Sequence, residues 1–315
     1  MTKPSLPLVI LGGRDRRGST MPDAGREKHQ LKGYKAVDIR IGGRPLISLV
    51  VERWRQSGAF DPIYVAGPES IYRPVAEDFE IIDTDSSVVA NLRAAGEHLI
   101  ATHPGSSVAF STCDILPDVD ELRLLMNEYW ENTPCDFWVP QIRAPKETGQ
   151  LGESSWKPQY RIIPRGEQES VDTLPGHLIV ADSNAVRYKL LFHMLELAYR
   201  SRNKPISYRR TYILQRILLS LFWEDLKGIL RLHPPLITWE IVSNGLALAR
   251  GLREGELDEL ELGRLVRNIY VFRHHRRQYP KRLGRLPVLP GLSLAKDIDT
   301  EEEAREVKER LERGN

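Results

Sequence analysis

The sequence predicts an α/β fold: a three-layer, mostly parallel sheet, with a large all-helical insertion in the second half of the chain. Three observations predict it. Short runs of branched apolar residues alternate with stretches of helical periodicity through roughly the first 140 residues. Several of those runs are apolar throughout rather than every second residue, as strands buried on both faces are. From about residue 186 to residue 275 the strand signals stop and helical periodicity takes over.

The elements follow in order. Leu6 to Leu11 reads as a first strand ending at Gly12-Gly13, and a polar, glycine-rich loop runs from Arg14 to about Lys32. Pro45 opens a helix, since proline fits the first helical turn, where its missing N–H costs nothing. Ile63 to Gly67 and Glu80 to Asp83 read as the second and third strands, Val88 to Ala101 as a helix, and Ser107 to Ser111 as the fourth strand. Leu116 to Trp130 is helical and Phe137 to Pro140 is a fifth strand. Residues 141–176 read as loop-rich. Val186 to Arg200, Ile206 to Leu232, Leu236 to Arg253 and Leu257 to Phe272 have helical periodicity, and Arg273 to Arg285 reads as a basic, irregular and solvated arm. Thr300 followed by Glu303 is a capping box, which starts a last helix. The domains expected are therefore an α/β core over 1–185, a helical insertion with its basic arm over 186–285, and a return to the core over 286–315.

Composition narrows the class. The 315 residues, 41% hydrophobic and 28% charged, describe a globular protein with a sizeable core. A net charge of +2 gives no global pull toward nucleic acid, so no nucleic-acid partner is expected. Two cysteines, Cys113 and Cys135, make no disulfide framework and fit a reducing, cytoplasmic setting. No run reaches the roughly 18 apolar residues of a transmembrane segment. The apolar face between Tyr208 and Leu232 is expected to face the core, with a homodimer or a membrane surface as further readings.

Three motifs carry candidate chemistry, each with a plain alternative. Leu11-Gly12-Gly13-Arg14, with Arg17 and Lys35 beyond it, offers backbone close approach and cations for a triphosphate, or is a tight turn with solvated side chains. Asp114 follows a buried strand within Cys-Asp-Ile-Leu-Pro, and is either a hard ligand for Mg²⁺ or a helix cap. Asp297-Ile-Asp299-Thr300 near the end supplies a second carboxylate or merely caps the last helix. Thr300 takes the capping role, so Asp299 is the expected metal ligand; on a strand Asp297 then faces the other way.

Taken in order, these motifs resemble the molybdenum-cofactor guanylyltransferase-like branch of the NTP transferases, in the nucleotide-diphospho-sugar transferase superfamily. That pattern has a first strand, Gly-Gly-x-x-x-Arg, a lysine, and Gly-[Lys/Arg]-Pro-Leu opening the first helix. Here these are Gly12, Gly13, Arg17, Lys35 and Gly43-Arg44-Pro45-Leu46. Cys113-Asp114 with Pro117 matches its metal segment, and Asp297-Ile298-Asp299-Thr300 with Glu303 its closing segment. The likeness covers about residues 6–140 and 293–312. The loop between Gly13 and Lys35 is longer than the pattern, and the block from 186 to 275 has no counterpart in it.

The resemblance implies a Rossmann-like nucleotidyltransferase fold, akin to that of GT-A glycosyltransferases. It implies transfer of a nucleoside monophosphate from an NTP to a phosphorylated small molecule, with Mg²⁺ as cofactor and pyrophosphate as product. It implies Arg17, Lys35 and Asp114 as catalytic residues, Leu11 to Arg14 and Asp85 at the nucleotide, Asp114 and Asp299 at the metal, and Gly176 and His177 at the acceptor. A nucleotide-sugar-dependent glycosyltransferase is the next reading, though the Asp-x-Asp it uses is missing around Asp114. A nucleotide-binding regulator without activity is the third.

Overall fold

A computed structural model describes residues 4–13, 33–84, 88–145, 159–201, 206–230, 237–298 and 301–312. In chain order the elements begin with β1 (Leu6–Leu11), α1 (Lys35–Asp38), β2 (Arg40–Ile41), β3 (Arg44–Pro45), α2 (Leu46–Gln56), β4 (Phe60–Gly67) and α3 (Glu69–Tyr72). β5 (Glu80–Asp83), α4 (Val88–Thr102), β6 (Ser107–Thr112), α5 (Val119–Glu131), β7 (Phe137–Trp138) and β8 (Gln141–Arg143) continue the core. Then come β9 (Tyr160–Ile162), β10 (Val171–Pro175), β11 (Leu178–Asp182), α6 (Tyr188–Ser201), α7 (Ile206–Leu230), α8 (Thr238–Glu254) and α9 (Glu259–Tyr270). The chain ends with α10 (Arg273–Gln278), β12 (Gly284–Arg285), β13 (Val288–Leu289) and α11 (Glu301–Glu312).

The main sheet has seven strands in the order β12-β7-β11-β6-β1-β4-β5. β5, β4, β1 and β6 are mutually parallel, so Leu11, Gly67, Asp83 and Thr112 end on one edge. β11 runs antiparallel to both β6 and β7, with Leu178 opposite Ser111. That register puts the residue before β11 at the edge where β6 ends. A second sheet, β13-β8-β10-β9, lies beyond.

The sheet is buried on both faces, as its apolar strands require. Leu8 and Ile10 of β1 join the cluster that includes Trp54 of α2 and Leu122 and Met126 of α5. Val9, between them, turns to the opposite cluster with Ala95 and Leu99 of α4. This is period-two geometry making two cores from one strand. Asp118 caps α5, its carboxylate accepting from the N–H groups of Asp120 and Glu121 at 2.9 and 3.0 Å.

The helical insertion has its own core, in which Leu197, Ile217, Leu221, Ile241 and Ile269 are buried. Gly255 ends α8 in the left-handed region, with its N–H and that of Glu256 both donating to Gly251 O.

Two expectations are amended. Within the loop-rich stretch 141–176 the structure adds β8, β9 and β10, which pair into a sheet in runs too short for periodicity to signal. The arm from Arg273 is exposed along much of its length, but it is neither irregular throughout nor wholly solvated. It begins with α10, and His275 is buried 3.2 Å from Asp136. Arg267 Nε lies 2.5 Å from the other Asp136 oxygen, and Arg282 pairs with Asp182. The His275 and Arg282 contacts tie the arm to the start of β7 and the end of β11.

Candidate active site

The site is built at the shared edge of the parallel strands, where ligands of open α/β sheets sit. β6 delivers Thr112, Cys113 and Asp114 past its last sheet residue. The coil before β11 delivers His177, and the coil before α11 delivers Asp297. Three backbone and side-chain bonds hold these segments together. Ile298 N donates to Asp114 O at 2.7 Å, His177 N donates to Leu294 O at 2.8 Å, and Thr112 Oγ1 meets His177 Nδ1 at 2.8 Å.

Asp114, His177 and Asp297 converge, each with one ligand atom within 4.8 Å of the others. His177 Nε2 lies 3.0 Å from Asp297 Oδ1, and Asp297 is 4% exposed. Among the described residues Asp114 Oδ1 is buried with no hydrogen-bond partner. A buried carboxylate oxygen is costly unless a cation or donor meets it. The donor set is two carboxylates and an imidazole. The oxygens suit a hard divalent cation, and the nitrogen adds affinity for ions such as Mn²⁺.

Asp114 does not cap the helix that follows, because Asp118 is the residue that caps α5. Asp297 does not face away as expected. The segment carrying it is coil rather than strand, and the Ile298 amide bond to Asp114 turns the Asp297 side chain inward. Asp299 and Thr300 lie outside the described residues, as do Arg14, Arg17 and Asp85. The capping-box partner Glu303 is buried, and α11 begins at Glu301.

The glycine turn is placed by packing. Gly12 N donates to Ala66 O at 2.8 Å, so this amide belongs to the sheet rather than to a phosphate. Gly12 O accepts from the buried Tyr72 hydroxyl at 2.8 Å, and a Cβ on Gly12 would sit 2.5 Å from that hydroxyl. Tyr34 stacks edge-on against Tyr72 at 6.4 Å, which brings the start of α1, and with it the half-buried Lys35, next to the glycine turn. Gly176 is fixed by its N–H to Pro140 O, at 2.8 Å, immediately before His177.

A search of family models finds no match, nor does the sequence match any curated protein. Solved structures do match the fold. A hypothetical transferase from Thermus thermophilus is 19% identical, covers 95% of this chain and 99% of its own, and superimposes with a TM-score of 0.50. CMP:2-keto-3-deoxy-manno-octonic acid synthetase complexed with CTP is 12% identical, over 69% of this chain and 86% of its own, with a TM-score of 0.43. The 4-diphosphocytidyl-2C-methyl-D-erythritol synthase of Anaerococcus prevotii is 14% identical, over 98% of each chain, with a TM-score of 0.42. The α/β architecture expected from sequence is thus shared with a solved structure, the hypothetical transferase.

Sequence reasoning passed over other polar groups at this edge. Asn91 of α4 is 1% exposed with Oδ1 unpartnered among the described residues, and Ser111 Oγ of β6 and Thr84 Oγ1 after β5 are in the same condition. A polar residue inside an otherwise apolar helix or strand is the signal that marks Asn91 and Ser111.

Proposed function

We propose that the protein is a nucleotidyltransferase that moves a nucleoside monophosphate from an NTP to a phosphorylated small molecule, such as a sugar phosphate, and releases pyrophosphate. The observation that carries this reading is the convergence of Asp114 and Asp297 beside the glycine turn, with Asp114 Oδ1 buried and without a hydrogen-bond partner among the described residues. The resemblance to guanylyltransferase-like enzymes points the same way.

In this reading Asp114 and Asp297 hold Mg²⁺, and His177 borders the same position. The ion, when bound, supplies charge neutralisation for the triphosphate oxygens. Lys35 and Arg17 bind β- and γ-phosphate oxygens, one as a point charge and one as a fork. An oxygen of the acceptor phosphate attacks the α-phosphorus in line, the bond from that phosphorus to the bridging oxygen breaks, and pyrophosphate leaves with the electron pair. No protein nucleophile takes part. Holding the two phosphates in line converts a bimolecular encounter into an effectively unimolecular step.

The test is incubation with each of the four NTPs, Mg²⁺ and a panel of sugar and polyol phosphates, with pyrophosphate release as readout. Release that needs both an NTP and an acceptor supports the reading. Binding of NTP without turnover on any acceptor, or transfer from a nucleotide-sugar instead, overturns it. A thermal-shift screen of the NTPs with Mg²⁺ selects the base first.

A further inference from the structure

The helical insertion carries a surface that this chemistry does not use. Residues 186–285 hold 20 Lys and Arg against 9 Asp and Glu, in a chain whose total charge is only +2. The rest of the protein is therefore acidic and the insertion strongly basic. Within it α7 exposes large apolar side chains next to its buried ones. Ile217 and Leu221 are buried in the core of the insertion, yet Phe222 is 57% exposed, Trp223 52% and Leu230 76%. Large apolar side chains exposed side by side mark a contact surface.

Named contacts gather this surface at one corner. The Asp225 carboxylate accepts from the N–H groups of Ile237 and Thr238 at 2.8 and 3.0 Å, which pins the start of α8 within a turn of Phe222 and Trp223. Trp239, 77% exposed, follows at once. Its neighbour Glu240 pairs with Arg276 of α10, and Arg276 also donates to Asn268 at 2.6 Å. That pairing brings α10, with the exposed Arg273 and Arg277, to the same corner. Arg216, exposed and 5.7 Å over the Tyr212 ring, lies two turns before Trp223 on the same side of α7.

We propose that this corner is a docking surface for an anionic lipid bilayer. Phe222, Trp223, Leu230 and Trp239 enter the boundary between headgroups and acyl chains, and the arginines beside them meet lipid phosphates. Aromatic and aliphatic tips flanked by basic side chains are the composition that interfacial helices use. Charge selects this occupant over the others. Two copies of a surface this basic repel each other when apposed, which disfavours a homodimer through the insertion. A nucleic-acid duplex matches the charge but keeps its base faces stacked and leaves the apolar tips in water. A single strand can stack on the rings but leaves the aliphatic Leu230 uncovered. The association is peripheral, since no helix among the described residues is long and apolar enough to cross a membrane.

The experiment floats the full chain with vesicles of phosphatidylcholine alone and with phosphatidylglycerol added, at low and at high salt. Comparison is with the triple variant Phe222→Ser, Trp223→Ser, Trp239→Ser and with Arg273→Glu, Arg277→Glu. Circular dichroism and NTP binding confirm that each variant is folded. The expected result is flotation with the anionic vesicles, lost in about 1 M salt, where screening shortens to about 3 Å. The triple variant weakens partitioning about tenfold or more, as the loss of interfacial apolar area requires. The proposal is overturned if the protein stays with the soluble fraction at low salt, or if flotation ignores the apolar substitutions. It is overturned equally by a vesicle-free dimer that the triple variant dissolves, or by retention on an oligonucleotide in place of vesicles.

Discussion

Oδ1 of Asp297 lies 3.0 Å from Nε2 of His177, and this contact joins the closing coil of the chain to the antiparallel strand inserted in the sheet. With Asp114 it makes a mixed oxygen and nitrogen site. Mg²⁺ rarely takes nitrogen, whereas Mn²⁺ accepts imidazole readily. His177→Gln is therefore expected to weaken Mn²⁺ binding by about tenfold, with a smaller loss for Mg²⁺. Calorimetric titration of both ions into both proteins checks this. An equal loss for the two ions would show that His177 only orients Asp297.

Asp114→Asn separates the cation site from the scaffold. Asp114 Oδ1 has no hydrogen-bond partner among the described residues, so removing its charge leaves no broken contact at that atom. Without metal, the variant is expected to unfold within about 0.5 kcal/mol of the parent, or at higher denaturant. The stabilisation that Mg²⁺ and NTP give the parent disappears, and turnover falls about a hundredfold or more, the several kcal/mol that a missing metal withdraws. A denaturant titration with and without ligand, beside a pyrophosphate assay, reads both effects.

The fold was legible where neighbours in sequence decide it. The apolar runs of β1, β4 and β6 and the periodicity of α2, α4 and α5 are local signals, and all six elements are present, with β4 starting three residues earlier and α5 three residues later than read. Asp114 was legible because a carboxylate directly after a buried strand must lie at the sheet edge. What was not legible depends on contacts between distant segments. That Asp297 turns inward goes with Ile298 N bonding Asp114 O, and no spacing rule contains that bond. His177 reaches the site because β11 runs antiparallel to β6, a pairing that the apolar run Leu178 to Ala181 does not specify. His275 looked solvated because its partner, Asp136, lies on the far side of the insertion in sequence.

That partner carries the next expectation. Asp136 is 0% exposed and meets Arg267 at 2.5 Å and His275 at 3.2 Å. Asp136→Ala leaves a guanidinium buried without its counter-charge, which costs about 3–5 kcal/mol. A urea transition midpoint moving by less than a third of that amount would show that water reaches the gap.

Cys135 is buried beside Asp136, and burial first, then the Asp136 charge, pushes its thiol up to about 12. The thiolate is the reactive form, so Cys135 is expected to resist alkylation in the folded protein even at mildly alkaline pH. It reacts at the rate of global unfolding and becomes fast in denaturant. Mass spectrometry of timed alkylation reads this directly, and prompt labelling of the native protein would contradict it.

The glycine turn offers a test that tells packing from ligand contact. Tyr72 is 0% exposed, and its hydroxyl donates to Gly12 O at 2.8 Å. Burial raises the Tyr72 pKa far above its ordinary value, so the hydroxyl remains a donor at every working pH. A Cβ at Gly12 would lie 2.5 Å from that oxygen and 2.6 Å from the ring carbon bearing it. Gly12→Ala must therefore displace the ring, at a cost of about 1–3 kcal/mol for overpacking. Tyr72→Phe removes the hydroxyl and leaves Gly12 O without its donor, costing about 1–2 kcal/mol. In the double variant the methyl group occupies space that the hydroxyl has vacated, so part of both costs cancels. The cycle is expected to close with the double variant about 1 kcal/mol more stable than the sum of the singles. Strict additivity would mean that the two residues do not share that space. Nucleotide affinity is expected to follow stability in this series, because the Gly12 amide already donates to Ala66 O and has no proton left for a phosphate.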